Sequence, residues 1–218
     1  MIKTVIFDMD GTVLDTLGDL CDSMNAVLSE FSMPARTADE IRSFVGNGIP
    51  KLVKRAVPGG TDEKTLAACV DRMIEYYRGH CEIKTRPYGG IVPLLEALRE
   101  RGVNTAVVTN KDDAAARALS GKFFGDLFGF VSGALPGQPL KPAPDAVLRA
   151  MRYFGASAGE CIYIGDSDVD VMTAKNAGLA SVGVLWGFRD RKTLEDAGAD
   201  VIVSSPEEIA ALFPDRRI

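Results

Sequence analysis

The chain has 218 residues, 46% of them hydrophobic and 25% charged, the composition of a globular protein with a core of its own. A balance of 25 basic and 30 acidic residues leaves a net charge of −5, and no lysine or arginine block is long enough to track a nucleic-acid backbone, so nucleic acid is not an expected partner. No apolar run approaches the ~20 residues of a bilayer span, Asp8 interrupts any signal-type apolar region, and the four cysteines form no C-x-x-C pair, so neither a membrane nor zinc is expected and the location is read as cytoplasmic.

In chain order, Val5, Ile6 and Phe7 form a short β-forming run that ends in Asp8, Asp10 and Gly11. Leu17, Leu20, Cys21, Met24, Val27, Leu28 and Phe31 then fall at helical spacing, with Thr16 placed to cap and Asp19 in the first turn. Thr37 and Glu40 make a capping box for a short helix through Val45. Gly46, Asn47 and Gly48 break it, Pro50 opens another helix carrying Leu52, Val53 and Ala56, and Pro58, Gly59 and Gly60 stop that one. A longer stripe of Leu66, Cys69, Val70, Met73 and Tyr77 ends near Gly79, so residues 16 to about 82 read as helices without a strand.

From Arg86 the pattern changes. After the turn Pro87-Tyr88-Gly89-Gly90, helix and strand alternate: a helix to Arg101, a strand Val103–Val108, a helix from Asp112, a short strand near Phe130 and Val131, and a helix over 144–154 with Pro144 near its first position. The strand Cys161–Ile164, a helix over about 169–177, the strand Ser181–Leu185, a helix near 191–197, the strand Val201–Val203 and a last helix capped by Ser205 complete the run. This predicts an α/β fold, a doubly wound parallel sheet built from residues 1–14 and 86–218, with an all-helical cap, residues 15–85, inserted after the first strand.

Such a sheet gathers its chemistry at the carboxyl ends of its strands. Asp8 and Asp10, Thr109 and Asn110, Lys141, and Asp166, Asp168 and Asp170 all fall at strand ends or shortly beyond. Three aspartates within five residues repel one another unless a cation joins them, and oxygen ligands shared with a phosphate are the Mg²⁺ pattern. A carboxylate attacking a phosphate dianion meets a repulsion of about 4 kcal/mol per charge pair at 4 Å and an effective dielectric near 20, which Mg²⁺ and Lys141 would offset. Thr109 and the backbone amides that follow Asp10, those of Gly11 and Thr12, would hold the remaining phosphate oxygens, while Asp10 would give a proton to the leaving alkoxide and later take one from water.

The segments DMDGTVLDT at 8–16, VVTNK at 107–111, KPAPD at 141–145 and GDSDVD at 165–170 resemble, in order and spacing, the four motifs of the haloacid dehalogenase superfamily of phosphatases. The resemblance implies a Rossmann-like core, with Asp8 as nucleophile, Asp10 as general acid/base, Thr109, Asn110 and Lys141 at the phosphate, and Mg²⁺ on the Asp8 carboxylate, the Asp10 main-chain carbonyl and Asp166, with Asp170 supporting or joining it. Dehalogenases of the superfamily lack the second aspartate of the first motif, so Asp10 points to phosphate esters. The segments FVGNGIPKLVKR, PYGG and WGFRD resemble those of phosphoglycolate phosphatases, which implies a small phosphorylated metabolite as substrate.

In the helical insertion, the amides of Gly46, Asn47 and Gly48 before a helix start, with Lys51 and Arg55 one turn apart, are the expected anion site. His80 reads as a surface residue, and the stretches 15–17 and 83–89 as hinges. A sugar phosphomutase, a pyrophosphatase and an aspartyl-phosphate sensing module share parts of this pattern; the length and the D-x-D-G-T position weigh against the sensor. The chain is expected to be a monomer or homodimer.

Overall fold

In a computed structural model, residues 1–213 are described. They divide into two compact units, residues 1–14 with 87–213, and residues 15–86.

The first unit is an α/β sandwich. Its chain runs through β1 (Thr4–Phe7), then, after the helical unit, α5 (Ile91–Glu100), β4 (Asn104–Asp112), α6 (Asp113–Phe124), β5 (Phe130–Ala134), α7 (Asp145–Phe154), β6 (Cys161–Gly165), α8 (Asp168–Ala177), β7 (Ala180–Val184), α9 (Arg191–Ala197), β8 (Val201–Val203) and α10 (Pro206–Ala211). The strands form one six-stranded sheet in the order β5-β4-β1-β6-β7-β8, every pairing parallel. The order reverses at β1, which lies between β4 and β6, so the switch point where such sheets bind ligands is the end of the strand that carries Asp8. β1 is buried throughout, as a central strand covered on both faces must be. On one face Ile6, Ala106, Val108 and Tyr163 meet Val147, Ala150 and Met151 of α7 and Ala174 of α8; strand alternation sends Phe7 to the other, where its ring meets Phe128 edge-on at 5.9 Å.

Residues 15–86 contain α1 (Leu17–Glu30), α2 (Ala38–Phe44), α3 (Ile49–Ala56) and α4 (Glu63–His80). Two-residue strands, β2 (Leu14–Asp15) and β3 (Arg86–Pro87), pair where the chain passes between the units. The interior of the helical unit is Met24, Val27, Leu28, Ile41, Val53, Cys69 and Met73, each fully buried. The buried Asp19 carboxylate accepts hydrogen bonds from Lys84 N (2.8 Å), Thr85 N (2.9 Å) and Thr85 Oγ1 (2.8 Å), which fastens the start of α1 to the end of the same unit. The capping box of Thr37 and Glu40 is present.

Four local expectations differ from the structure. Thr16 precedes α1 but makes no capping bond: its backbone is αR rather than extended, and its buried hydroxyl has no partner. Ser205 likewise gives α10 no side-chain cap, its hydroxyl bonding Glu207 instead. Pro144 is the residue before α7 rather than inside it. β4 runs four residues beyond Val108, to Asp112, with an irregular register against β5, so Thr109, Asn110 and Lys111 lie on the strand itself. Among the described residues no helix is long and apolar enough to cross a membrane, and all four cysteines are free thiols.

Candidate active site

Parallel pairing places the site. Phe7 is in register with Val107 of β4 and with Ile164 of β6, so the residues that follow all three emerge at one edge. Asp8, Thr109, Lys141, Asp166 and Asp170 are each buried there, and ligand atoms of Asp8, Asp166 and Asp170 all lie within 4.8 Å of one another.

Lys141 is the counter-charge. Its Nζ donates to Asp170 Oδ1 (2.7 Å) and to the Tyr163 hydroxyl (3.0 Å), and lies 2.8 Å from Asp8 Oδ1. That last contact is a buried ion pair, which draws the Asp8 pKa down against burial. Burial alone would lower the Lys141 pKa, but Asp170 and Asp8 outweigh it and hold the ammonium well above its usual range. The Lys141 backbone is clamped as well: Asn110 Nδ2 donates to its carbonyl (3.1 Å) and its amide donates to Asn110 Oδ1 (2.8 Å). Asn110, expected at the phosphate, thus also positions the lysine.

The carboxylates are under strain of charge. Burial raises the Asp8 pKa from 3.8 to about 7, opposed by Lys141 and reinforced by Asp170. Burial, with Asp170 and Asp8, also pushes Asp166 well above the usual carboxylate range. Asp166 is oriented by the amide of Phe188 (2.7 Å to Oδ2) and by Thr12 Oγ1 (3.2 Å to Oδ1). Asp170 has both oxygens engaged, Oδ1 by Lys141 and Oδ2 by the Ser167 hydroxyl (2.6 Å) and amide (3.0 Å), so it supports the lysine. Asp168 is exposed, with Arg189 Nε 4.0 Å away.

The turn after Asp10 differs from expectation. The Gly11 and Thr12 amides donate to the carbonyls of Leu14 (2.9 Å) and Met9 (3.3 Å), so they close the turn instead of cradling an anion, and the Thr12 side chain serves Asp166. Gly11 itself is required, since its φ is +85° and a Cβ would stand 2.5 Å from Asp166 Oδ2. Trp186 Nε1 donates to Thr12 O (2.9 Å) and anchors the same turn.

Three contributors escaped the sequence. Lys111 Nζ lies 2.9 Å from Asp10 Oδ1. The Tyr163 hydroxyl, in a strand that reads as uniformly apolar, accepts from Lys141 and donates to Val108 O (2.8 Å). Ser167 fixes Asp170. Of the three, only Lys111 stands in a segment that the sequence analysis singled out, VVTNK at 107–111.

In the helical unit, the Arg55 guanidinium donates to Phe44 O (2.7 Å) and Asn47 Oδ1 (2.9 Å), so Arg55 and Asn47 brace the loop, while Lys51 is exposed. His80 stacks on Tyr76 with ring centroids 4.0 Å apart.

A family model for haloacid dehalogenase-like hydrolases matches residues 5–184. The chain belongs to that family. Its curated relatives include the phosphoglycolate phosphatases of Neisseria meningitidis, 33% identical across 99% of this chain and 95% of that one, and of Thiobacillus denitrificans, 30% identical across 97% and 95%. Among solved structures, a Lactobacillus delbrueckii subsp. bulgaricus protein superposes with a TM-score of 0.91 at 33% identity, covering 96% of this chain and 97% of that one. This haloacid dehalogenase-like hydrolase stands with the phosphatases of the family.

Proposed function

We propose that the chain is a Mg²⁺-dependent phosphomonoester hydrolase of phosphoglycolate phosphatase type, which works through a phosphoryl group carried on Asp8. The observation that carries this is Asp8 itself, a buried carboxylate grouped within 4.8 Å of those of Asp166 and Asp170 and paired at 2.8 Å with the Lys141 ammonium.

The donor set suits a hard divalent cation: two carboxylates, Asp8 and Asp166, held close against their mutual repulsion, joined by the Asp10 main-chain carbonyl and backed by Asp170. When bound, the ion supplies positive charge that lowers the repulsion between Asp8 and a phosphate. An Asp8 oxygen attacks phosphorus, the ester P–O bond breaks, and Asp10 passes a proton to the alkoxide. Asp10 then takes a proton from water as its oxygen attacks the aspartyl phosphate, and the Asp8–phosphorus bond breaks to free phosphate. Lys141 neutralises the phosphoryl oxygens throughout. The Thr109 hydroxyl accepts from the Lys111 amide (3.3 Å), so its own proton is available to a phosphoryl oxygen. Residues 15–86 serve as the cap, with the Gly46–Gly48 loop and Lys51 as its contribution to binding an anionic substrate.

The test is phosphate release from a panel of small esters with and without Mg²⁺. Release from 2-phosphoglycolate that stops in a chelator is the expected result; transfer between positions of a hexose phosphate with no free phosphate overturns it.

The shifted carboxyls give a further expected result. Because Asp8 titrates near 7 in the folded chain against 3.8 as its ordinary value, its stabilising contribution is complete below about pH 3.8 and is lost as pH rises through about 7. Chelator-treated protein should therefore melt lower at pH 8 than at pH 5. Added Mg²⁺ should raise the melting temperature more at pH 8, where it need not displace protons. Equal shifts at both pH values would count against an ion on these carboxylates.

A further inference from the structure

Asp10 and Lys111 meet because β1 and β4 run in parallel register. Val107 lies beside Phe7, and a few residues later the two side chains form an ion pair at 2.9 Å, with 3% of the lysine side chain and 16% of the aspartate side chain exposed. A lysine so buried is costly, and a buried pair returns little net stability compared with an apolar residue of similar size. Stability therefore does not explain it. The second lysine of the site is engaged elsewhere, with Asp8, Asp170 and Tyr163.

We propose that Lys111 is a positioning residue for Asp10, its ammonium anchoring Oδ1 so that the carboxyl group is held in one orientation while Oδ2 carries the proton that is given up and regained. This rests on the reading of Asp10 as general acid/base. The carboxyl torsion of an aspartate is soft, with a broad, roughly two-fold distribution, and a proton donor that must be found in one orientation loses rate when it is left free. The bond from Lys111 is made to Oδ1, and proton transfer is assigned to the other oxygen. The Lys111 amide, bonded to Thr109 Oγ1, ties the same residue to the phosphate side of the site.

Leaving-group dependence separates this role from a general one. An alkoxide needs a proton as it departs; p-nitrophenolate does not. In the Mg²⁺-loaded full chain, Lys111→Met and Lys111→Gln should lower kcat/KM for 2-phosphoglycolate by roughly 30- to 100-fold, a part of the roughly 10²- to 10⁴-fold that general acid catalysis contributes. For p-nitrophenyl phosphate the loss should stay below about threefold on the same scale. Asp10→Asn should show the same contrast, and Lys111→Met added to Asp10→Asn should cost nothing more for 2-phosphoglycolate, because the two residues act as a unit. Equal losses on both substrates for both Lys111 variants, beside a contrast in Asp10→Asn, would overturn the role of Lys111 and leave that of Asp10. Absence of the contrast in Asp10→Asn would instead overturn the acid/base reading itself.

Discussion

Asp8→Asn is expected to lower kcat for phosphate release by at least about a thousandfold, the scale on which removal of a nucleophile acts. The amide is close in size to the carboxylate but is a poor nucleophile, so no covalent phosphoryl intermediate forms. The fold should survive. In the native chain Asp8 is buried, and burial raises its pKa to about 7 against the pull of Lys141, a sign that the ionised group strains the structure. Lys141 keeps its bonds to Asp170 and Tyr163 in the variant. Thermal melts in chelator at pH 8 should show a melting temperature no lower than that of the native chain, alongside the lost activity. A variant that melts as the native protein does and still releases phosphate at the native rate would refute Asp8 as the phosphoryl acceptor.

Lys141→Met should damage both stability and activity. It leaves Asp8 and Asp170 together without their ammonium in a region where the lysine side chain is 4% exposed, and breaking a buried ion pair from one side costs about 3–5 kcal/mol. The loss should grow with pH. Without Lys141, which opposes burial at Asp8, the Asp8 carboxyl is pushed up further, so protonation relieves the repulsion at pH 5 and cannot do so at pH 8. Denaturant unfolding at the two pH values measures this. Mg²⁺ should restore part of the stability but little of the activity, since the phosphoryl oxygens have lost a counter-charge worth roughly a hundredfold in rate or more, the magnitude found for removal of one such group. Unfolding midpoints independent of pH would show that Lys141 does not balance these carboxylates.

Most of the site was legible because its residue types are unusual where they stand. Carboxylates at the end of an apolar strand, and three aspartates within five residues, advertise chemistry through the expense of keeping such groups together. For Asn110, Gly11, Thr12, Asn47 and Arg55 the structure adds hydrogen-bond partners that the sequence did not name. Those partners lie from three residues to more than a hundred away along the chain. Tyr163 was hidden by its surroundings: a tyrosine in a buried strand reads as bulk until β4 supplies the Val108 carbonyl beside it.

By itself, then, the amino-acid order determined the alternation of strands and helices, the place of the helical insertion and the nucleophile candidate, because hydrophobic period, turn residues and charge are local properties. Only the tertiary structure assigned each lysine to its aspartate, Lys141 to Asp8 and Asp170, and Lys111 to Asp10. Ion pairing depends on distances of a few ångströms, set for Lys111 by the parallel register of β1 with β4 and for Lys141 by the Asn110 clamp on its backbone, contacts between segments far apart in sequence.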